Sequence, residues 1–162
     1  YNSNISVVNQ KTFIFNMSIR ANLSLIDSNK KRQMDACKRV GIHDFIMSLL
    51  DGYNTILKED ATNISGGQKQ LLSLARVLLT TSEIILLDKV TSSLDPNTTN
   101  KIINLLDDLK SDHTLIIITH NKDLMRRADK LVVLNNGKIE CVGKDKDLIK
   151  RNKIYKQLIT ED

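Results

Sequence analysis

The spacing of apolar positions changes several times along the chain, and each change predicts an element. Ile5–Asn9 is a short β-type run. From Met17 to about Leu50 the apolar residues fall at helical spacing: Ile19, Leu23 and Leu25, then Met34, Cys37 and Val40, then Phe45, Ile46, Leu49 and Leu50. Asp51-Gly52 ends that region and a loop follows. Ser65 opens the clearest helix, because its hydroxyl can cap free amides and Gln68 stands where a capping box needs it. Between Leu71 and Leu79 this helix is apolar on nearly every face, which predicts deep burial. Ile84–Leu87 is an unbroken aliphatic run ending in Asp88, the pattern of a central parallel strand covered on both faces.

Asp95-Pro96 starts another helix, with Asp as N-cap and Pro at the first helical position. Its apolar stripe is Ile102, Ile103, Leu105, Leu106 and Leu109. Leu115–Ile118 reads as a second buried strand, ending at Thr119-His120. After a short helix, Leu131–Leu134 and Ile139–Val142 flank Asn136-Gly137, a hairpin signal. A last helix is expected from about Asp145 to Leu158, with Leu148, Tyr155 and Ile159 near one face. Strand and helix alternate before a closing hairpin, so the fold expected is α/β with a mainly parallel sheet. The helical stretch between Met17 and Thr80 reads as an insertion into it.

Bulk properties narrow the function. A chain of 162 residues can bury a real core, and 41% hydrophobic with 27% charged residues is ordinary for a globular domain. No apolar run approaches the roughly 18 residues of a membrane helix. The opening YNSNISVVNQ lacks the basic and apolar regions of a secretory signal, so the chain itself is expected to be soluble. A net charge of +5 raises nucleic-acid binding. The Lys and Arg residues are spread along the chain, however, and aromatics make up only 4%, so no nucleic-acid partner is expected. Cys37 and Cys141 stand far apart without ligands at metal spacing, and read as reduced thiols.

Two features carry chemistry without deciding it alone. An aspartate such as Asp88, at the carboxyl end of a buried strand, suits a metal that bridges phosphates, yet aliphatic runs ending in Asp are common. Ser65-Gly66-Gly67-Gln68 at a helix start offers amides and a positive dipole end to an anion, and equally suits a plain cap with glycines for packing. Order and spacing add the rest. Ile64-Ser65-Gly66-Gly67-Gln68 is followed by Gln70, Leu74-Ala75-Arg76, the strand to Asp88, Thr91-Ser92-Ser93-Leu94-Asp95-Pro96, a helix, and Leu115–Ile118 with Thr119-His120. This combination resembles the ATP-binding cassette of ABC transporters. Upstream, Val8-Asn9-Gln10 and Phe13 to Leu23 look like the glutamine loop of exporter-type cassettes. Gly52-Tyr53-Asn54-Thr55 with Glu59 resembles the segment where exporter cassettes meet their membrane domain.

The resemblance covers essentially the whole chain. It implies a P-loop NTPase-like core, here incomplete, with an inserted helical signature subdomain. Residues 1–12 would be a strand and the glutamine loop, 13–80 the helical subdomain, and 81–162 the α/β core. ATP and Mg²⁺ are the cofactors implied. Gln10 would contact the metal and the attacking water, and sense the membrane domain. Ser65, Gly66, Gly67 and Gln68 would clasp the γ-phosphate of ATP held by a partner cassette. Asp88 would serve Mg²⁺, Asp95 would lie in the loop crossing the dimer interface, and His120 would be the switch histidine. His43 and His113 match nothing in the pattern. Implied partners are a second cassette and transmembrane domains, at the cytoplasmic face of a membrane.

Two departures matter. The loop Gly-x-x-x-x-Gly-Lys-Ser/Thr is absent from the sequence, as are the strand before it and the aromatic that stacks on adenine. That suggests either a fragment or a truncated product, with Tyr1 in place of Met favouring a fragment. It also predicts little ATP hydrolysis by the isolated chain and an uncovered sheet edge with exposed apolar surface. Lys89 follows Asp88 where the family usually has a glutamate that polarises water, and a protonated lysine cannot act as that base. Ile64, Lys58 and Ala61 are milder departures, the last two standing where exporters often carry glycines. The readings are therefore an exporter's ATPase subunit, a degenerate cassette acting as a regulatory or structural partner, or a soluble DNA-repair-type cassette. The third lacks the heptad arms it needs.

Overall fold

A computed structural model describes residues 4–9 and 13–160, so Gln10 lies outside the described residues. The chain forms two compact units, Tyr1–Ile118 and Thr119–Asp162. The first holds a parallel sheet of β1 (Ile5–Val8), β2 (Ile84–Asp88) and β3 (Thr114–Ile118), with β2 in the middle. The pairing aligns Val8, Leu87 and Ile117 across the sheet and places Asp88 beside Ile118. Alternation then puts Ser6, Val8, Ile85 and Leu87 on one face, where the three apolar residues are buried. The Ser6 hydroxyl on that face bonds to Thr80 at 3.1 Å and to Ser82 at 2.7 Å.

The opposite face is open. Ile5, Val7, Ile116 and Ile118 are 49, 51, 49 and 50% exposed, and Ile84 and Leu86 of β2 are half-buried. Burial of β3 and of both faces of β2 was the expectation from their aliphatic runs, and it is not met. An aliphatic run records a capacity for burial, and no described segment of the first unit covers this face.

Helices α1 (Ile19–Ser24), α2 (Lys30–Val40) and α3 (His43–Ser48) fill the region where helical spacing predicts them. Ala36, Cys37 and Val40 of α2 are buried, and Gly41 ends it with φ of +82°, a conformation glycine adopts without a Cβ clash. Leu25 and Leu50, expected on the apolar side, are exposed because each lies beyond the last turn of its helix. Turns of 3₁₀ helix follow at Gly52–Asn54 and Glu59–Ala61. Next comes α4 (Gly66–Leu78), which packs against α2 and β1 through buried Leu71, Leu72, Leu74, Ala75 and Val77. Each fully buried leucine of this kind contributes about 1.5–3 kcal/mol. Helix α5 (Pro96–Leu109) buries all five residues of its predicted stripe.

The second unit holds α6 (Lys122–Arg127), the antiparallel hairpin β4 (Leu131–Asn135) and β5 (Lys138–Gly143), α7 (Asp145–Arg151) and α8 (Lys153–Thr160). Asn136 and Gly137 turn the hairpin with φ of +49° and +76°, as a type I′ turn requires. Its core is Met125, Val133, Leu148, Tyr155 and Ile159. The single last helix expected from Asp145 to Leu158 is two helices. Asn152 leaves helical geometry and its side chain accepts the Tyr155 amide at 2.8 Å, so it ends α7 and caps α8.

Both cysteines are free. Burial pushes the Cys37 thiol up to about 11, while half-buried Cys141 is raised by burial and by the neighbouring Glu140 carboxylate. We predict that a thiol reagent at neutral pH labels Cys141 and leaves Cys37 unmodified until denaturant is added, as read by intact mass. Equal labelling of both would contradict the burial of α2.

Candidate functional site

The site begins at the start of α4. Ser65 Oγ accepts the Gln68 amide at 3.2 Å, and Gln68 Oε1 accepts the Ser65 amide at 2.8 Å, so the predicted capping box forms. The amides of Gly66 and Gly67 find no acceptor among the described residues. Two free donors at the positive end of a long helix suit an anion such as a phosphate. Gly67 is required by packing: a Cβ there would lie 3.0 Å from the Ser93 carbonyl oxygen and 3.5 Å from Leu94 Cδ2. The loop before α5 is thereby pressed onto the helix start. Together they border a cavity of about 620 Å³, lined by Gly66, Gly67, Ser93, Leu94, Asp95 and Phe45 among others. Asp95 accepts the Thr98 amide at 3.1 Å as the N-cap of α5. Hydrogen bonds from Thr98 hold its exposed carboxyl below the usual carboxylate range.

Asp88 and Lys89 close β2 and do not line that cavity. Lys89 has φ of +50° and is gripped on both sides, its amide donating to Ile118 at 2.9 Å and its carbonyl accepting from Ser92 at 3.1 Å. A left-handed backbone costs any side chain about 1–2 kcal/mol, so lysine and glutamate are equally strained there. Among the described residues no cluster of three or more His, Cys, Asp or Glu residues can hold a metal. A lone carboxylate at a strand end still fits Mg²⁺, which takes one or two carboxylates beside phosphate oxygens.

His120 is exposed and belongs to the second unit, and beside it Thr119 Oγ1 accepts the Asn121 amide at 2.9 Å. The structure therefore brings Ser65–Gln68 and Asp95 together around one cavity and leaves Asp88 with Lys89 at a second place in the same unit. His43 and His113, unmatched in sequence, have structural partners: the Tyr53 hydroxyl at 2.9 Å and the Ser82 carbonyl at 2.8 Å.

Sequence reasoning left two features without a role. Ala61 is fully buried with φ of +49°, which explains why a glycine suits this turn. Arg76 Nη1 donates to the Phe13 carbonyl at 3.0 Å, a contact that no local pattern announces.

Urea unfolding checks the local geometry. Ser65→Ala is expected to lower stability by about 1 kcal/mol through loss of the cap. Lys89→Gly is expected to raise it by about 1 kcal/mol through release of backbone strain, whereas Lys89→Glu leaves it nearly unchanged.

Comparison with known proteins bears on the family and the fold. The family model described as ABC transporter matches residues 1–92. An ATP-dependent lipid A-core flippase of Saccharophagus degradans is 38% identical over 156 residues, covering 95% of this chain and 27% of that protein. The human ATP-binding cassette sub-family B member 5 is 36% identical over 161 residues, covering 97% of this chain and 13% of that protein. A solved bacterial Atm1-family ABC exporter with ATP bound superposes with a TM-score of 0.92 at 30% identity, covering 96% of this chain and 28% of that one. The chain thus spans between 13% and 28% of the length of these relatives.

Proposed function

The chain belongs to the ABC transporter family, and from that premise we propose that it is the ATP-binding and ATP-hydrolysing cassette of an exporter, sharing each ATP with a second cassette. The observation that carries this reading is that the cavity at the α4 start, where two amides are free, is not lined by Asp88 of the same unit. Free amides at the α4 start lie at one place, and the Asp88 carboxylate lies at another. Each is half of a nucleotide site, and a second cassette supplies the other half.

Phosphoryl transfer draws its charge neutralisation from Mg²⁺ and its rate from positioning. Here the Gly66 and Gly67 amides, with Ser65 and Gln68 fixing the turn, donate to the γ-phosphate of the partner's ATP. Asp88 would hold the metal, which would neutralise charge on the phosphates, and Gln10 would contact that metal and the attacking water. His120 donates to a phosphate oxygen, and Asp95 stands in the loop that meets the second cassette. ATP joins the cassettes and its cleavage releases them, a two-state motion that transmembrane domains at the cytoplasmic face of the membrane can use. Nucleic acid is not a partner. The division into 1–12, 13–80 and 81–162 belongs to this reading.

Lys89 favours a refinement. Its ammonium cannot take the proton of the attacking water, so the site it completes holds ATP and cleaves it slowly. A second reading, a degenerate cassette that regulates a competent partner, rests on the same residue.

In the membrane protein that carries this cassette, Lys89→Glu is expected to raise ATP turnover at least tenfold. Adding Ser65→Arg, which blocks the α4 start, is expected to remove that gain. No gain from Lys89→Glu would favour the regulatory reading, and a gain that survives Ser65→Arg would overturn the sharing of ATP. For the isolated chain, calorimetry is expected to detect no micromolar Mg-ATP binding.

A further inference from the structure

Helix α4 carries its chemistry at the first turn, yet its last turn makes a long-range contact that the family reading leaves without a role. There Arg76 Nη1 donates to the backbone carbonyl of Phe13 at 3.0 Å. This is the one hydrogen bond between α4 and residues 13–17 among the described residues. The same segment is gripped from the other side by Asn22 of α1, which is 0% exposed. Asn22 Oδ1 accepts the Phe15 amide at 2.9 Å and its Nδ2 donates to the Phe15 carbonyl at 3.0 Å. Between the two grips the Phe13 and Phe15 rings meet edge to face at 4.8 Å, and both remain exposed. They border a cavity of about 340 Å³ together with Ile26, Ser73 and Arg76.

We propose that Arg76 is a positioning residue that pins the segment following Gln10 to the helix that opens with Ser65, so that the two shift together. The proposal rests on the cassette reading, in which Gln10 and Ser65–Gln68 both attend a nucleotide. Two observations on the Arg76 side chain support it, and so does the nature of the acceptor. Arg76 Nε is buried with no partner among the described residues, so this half-buried side chain gives up part of its hydration to reach a single acceptor. Burial also lowers the guanidinium pKa, an unfavourable contribution that the contact offsets. The acceptor is a main-chain carbonyl, so the contact fixes the path of the segment whatever its side chains.

Amide hydrogen exchange on the full chain, without nucleotide, tests this with Arg76→Met and Arg76→Lys. The Phe15 and Met17 amides, which are hydrogen-bonded to Asn22 and Phe15, are the reporters. In Arg76→Met they are expected to exchange about tenfold faster, the effect of losing one hydrogen bond from a charged donor. Exchange in β2 and β3 should stay within about twofold, because those strands do not touch the contact. Arg76→Lys, which keeps a cationic donor, should recover at least half of the lost protection. If Arg76→Met does not fold, Arg76→Gln is read at the same amides and must show the same local acceleration. Unchanged exchange at Phe15 and Met17, equal acceleration of β2 and β3, or no recovery by lysine would each overturn the proposal. Because no nucleotide is used, these results stand apart from the success or failure of the cassette reading.

Discussion

Burial of α4 constrains the rest of the first unit. Leu71, Leu72, Leu74, Ala75 and Val77 are buried as the helix packs against α2 and β1. Truncating one such leucine to alanine costs about 2–5 kcal/mol, so the helix cannot be displaced without disturbing its neighbours. Its first turn therefore has a fixed place. From there Gly66 and Gly67 present free amides, and the close approach of Ser93 to Gly67 holds the Asp95 loop against the same turn. An anion site built from backbone donors needs that rigidity, because its donors cannot search for the ligand by rotation as side chains do.

The second constraint is the in-register ladder of β1, β2 and β3, which delivers Asp88 and Lys89 to one end of the sheet. Lys89 keeps the left-handed backbone of this turn although its side chain carries the wrong charge for a general base. On the proposed reading, holding ATP and cleaving it are then separable, because the shape of the turn does not depend on the charge of the side chain it carries. Ala61 is parallel: a turn suited to glycine persists with a methyl group buried inside it.

Much of this was legible in the sequence because it rests on local signals. The Ser65–Gln68 box, the Asp95 cap, the α5 stripe and the Asn136-Gly137 hairpin each depend on residues a few positions apart, and each forms as expected. What depends on distant segments was not legible. The open face bearing Ile5, Val7, Ile116 and Ile118 depends on what lies over it, and aliphatic character does not encode that. The break at Asn152 was missed because one side chain overrides a helical apolar stripe. At the candidate site, the Ser65–Gln68 capping box and the Asp95 cap could be named from sequence. The pressure of Ser93 on Gly67 and the reach of Arg76 to Phe13 are tertiary contacts with no local period.

On the proposed reading, the start of α4 receives a nucleotide's terminal phosphate. The most direct test is photolabelling of the protein as its own cells make it, with an ATP analogue reactive at the γ-phosphate, mapped by mass spectrometry. A Mg²⁺-dependent adduct within residues 64–69 is expected. Adducts confined to other segments, with none in that turn, would contradict it.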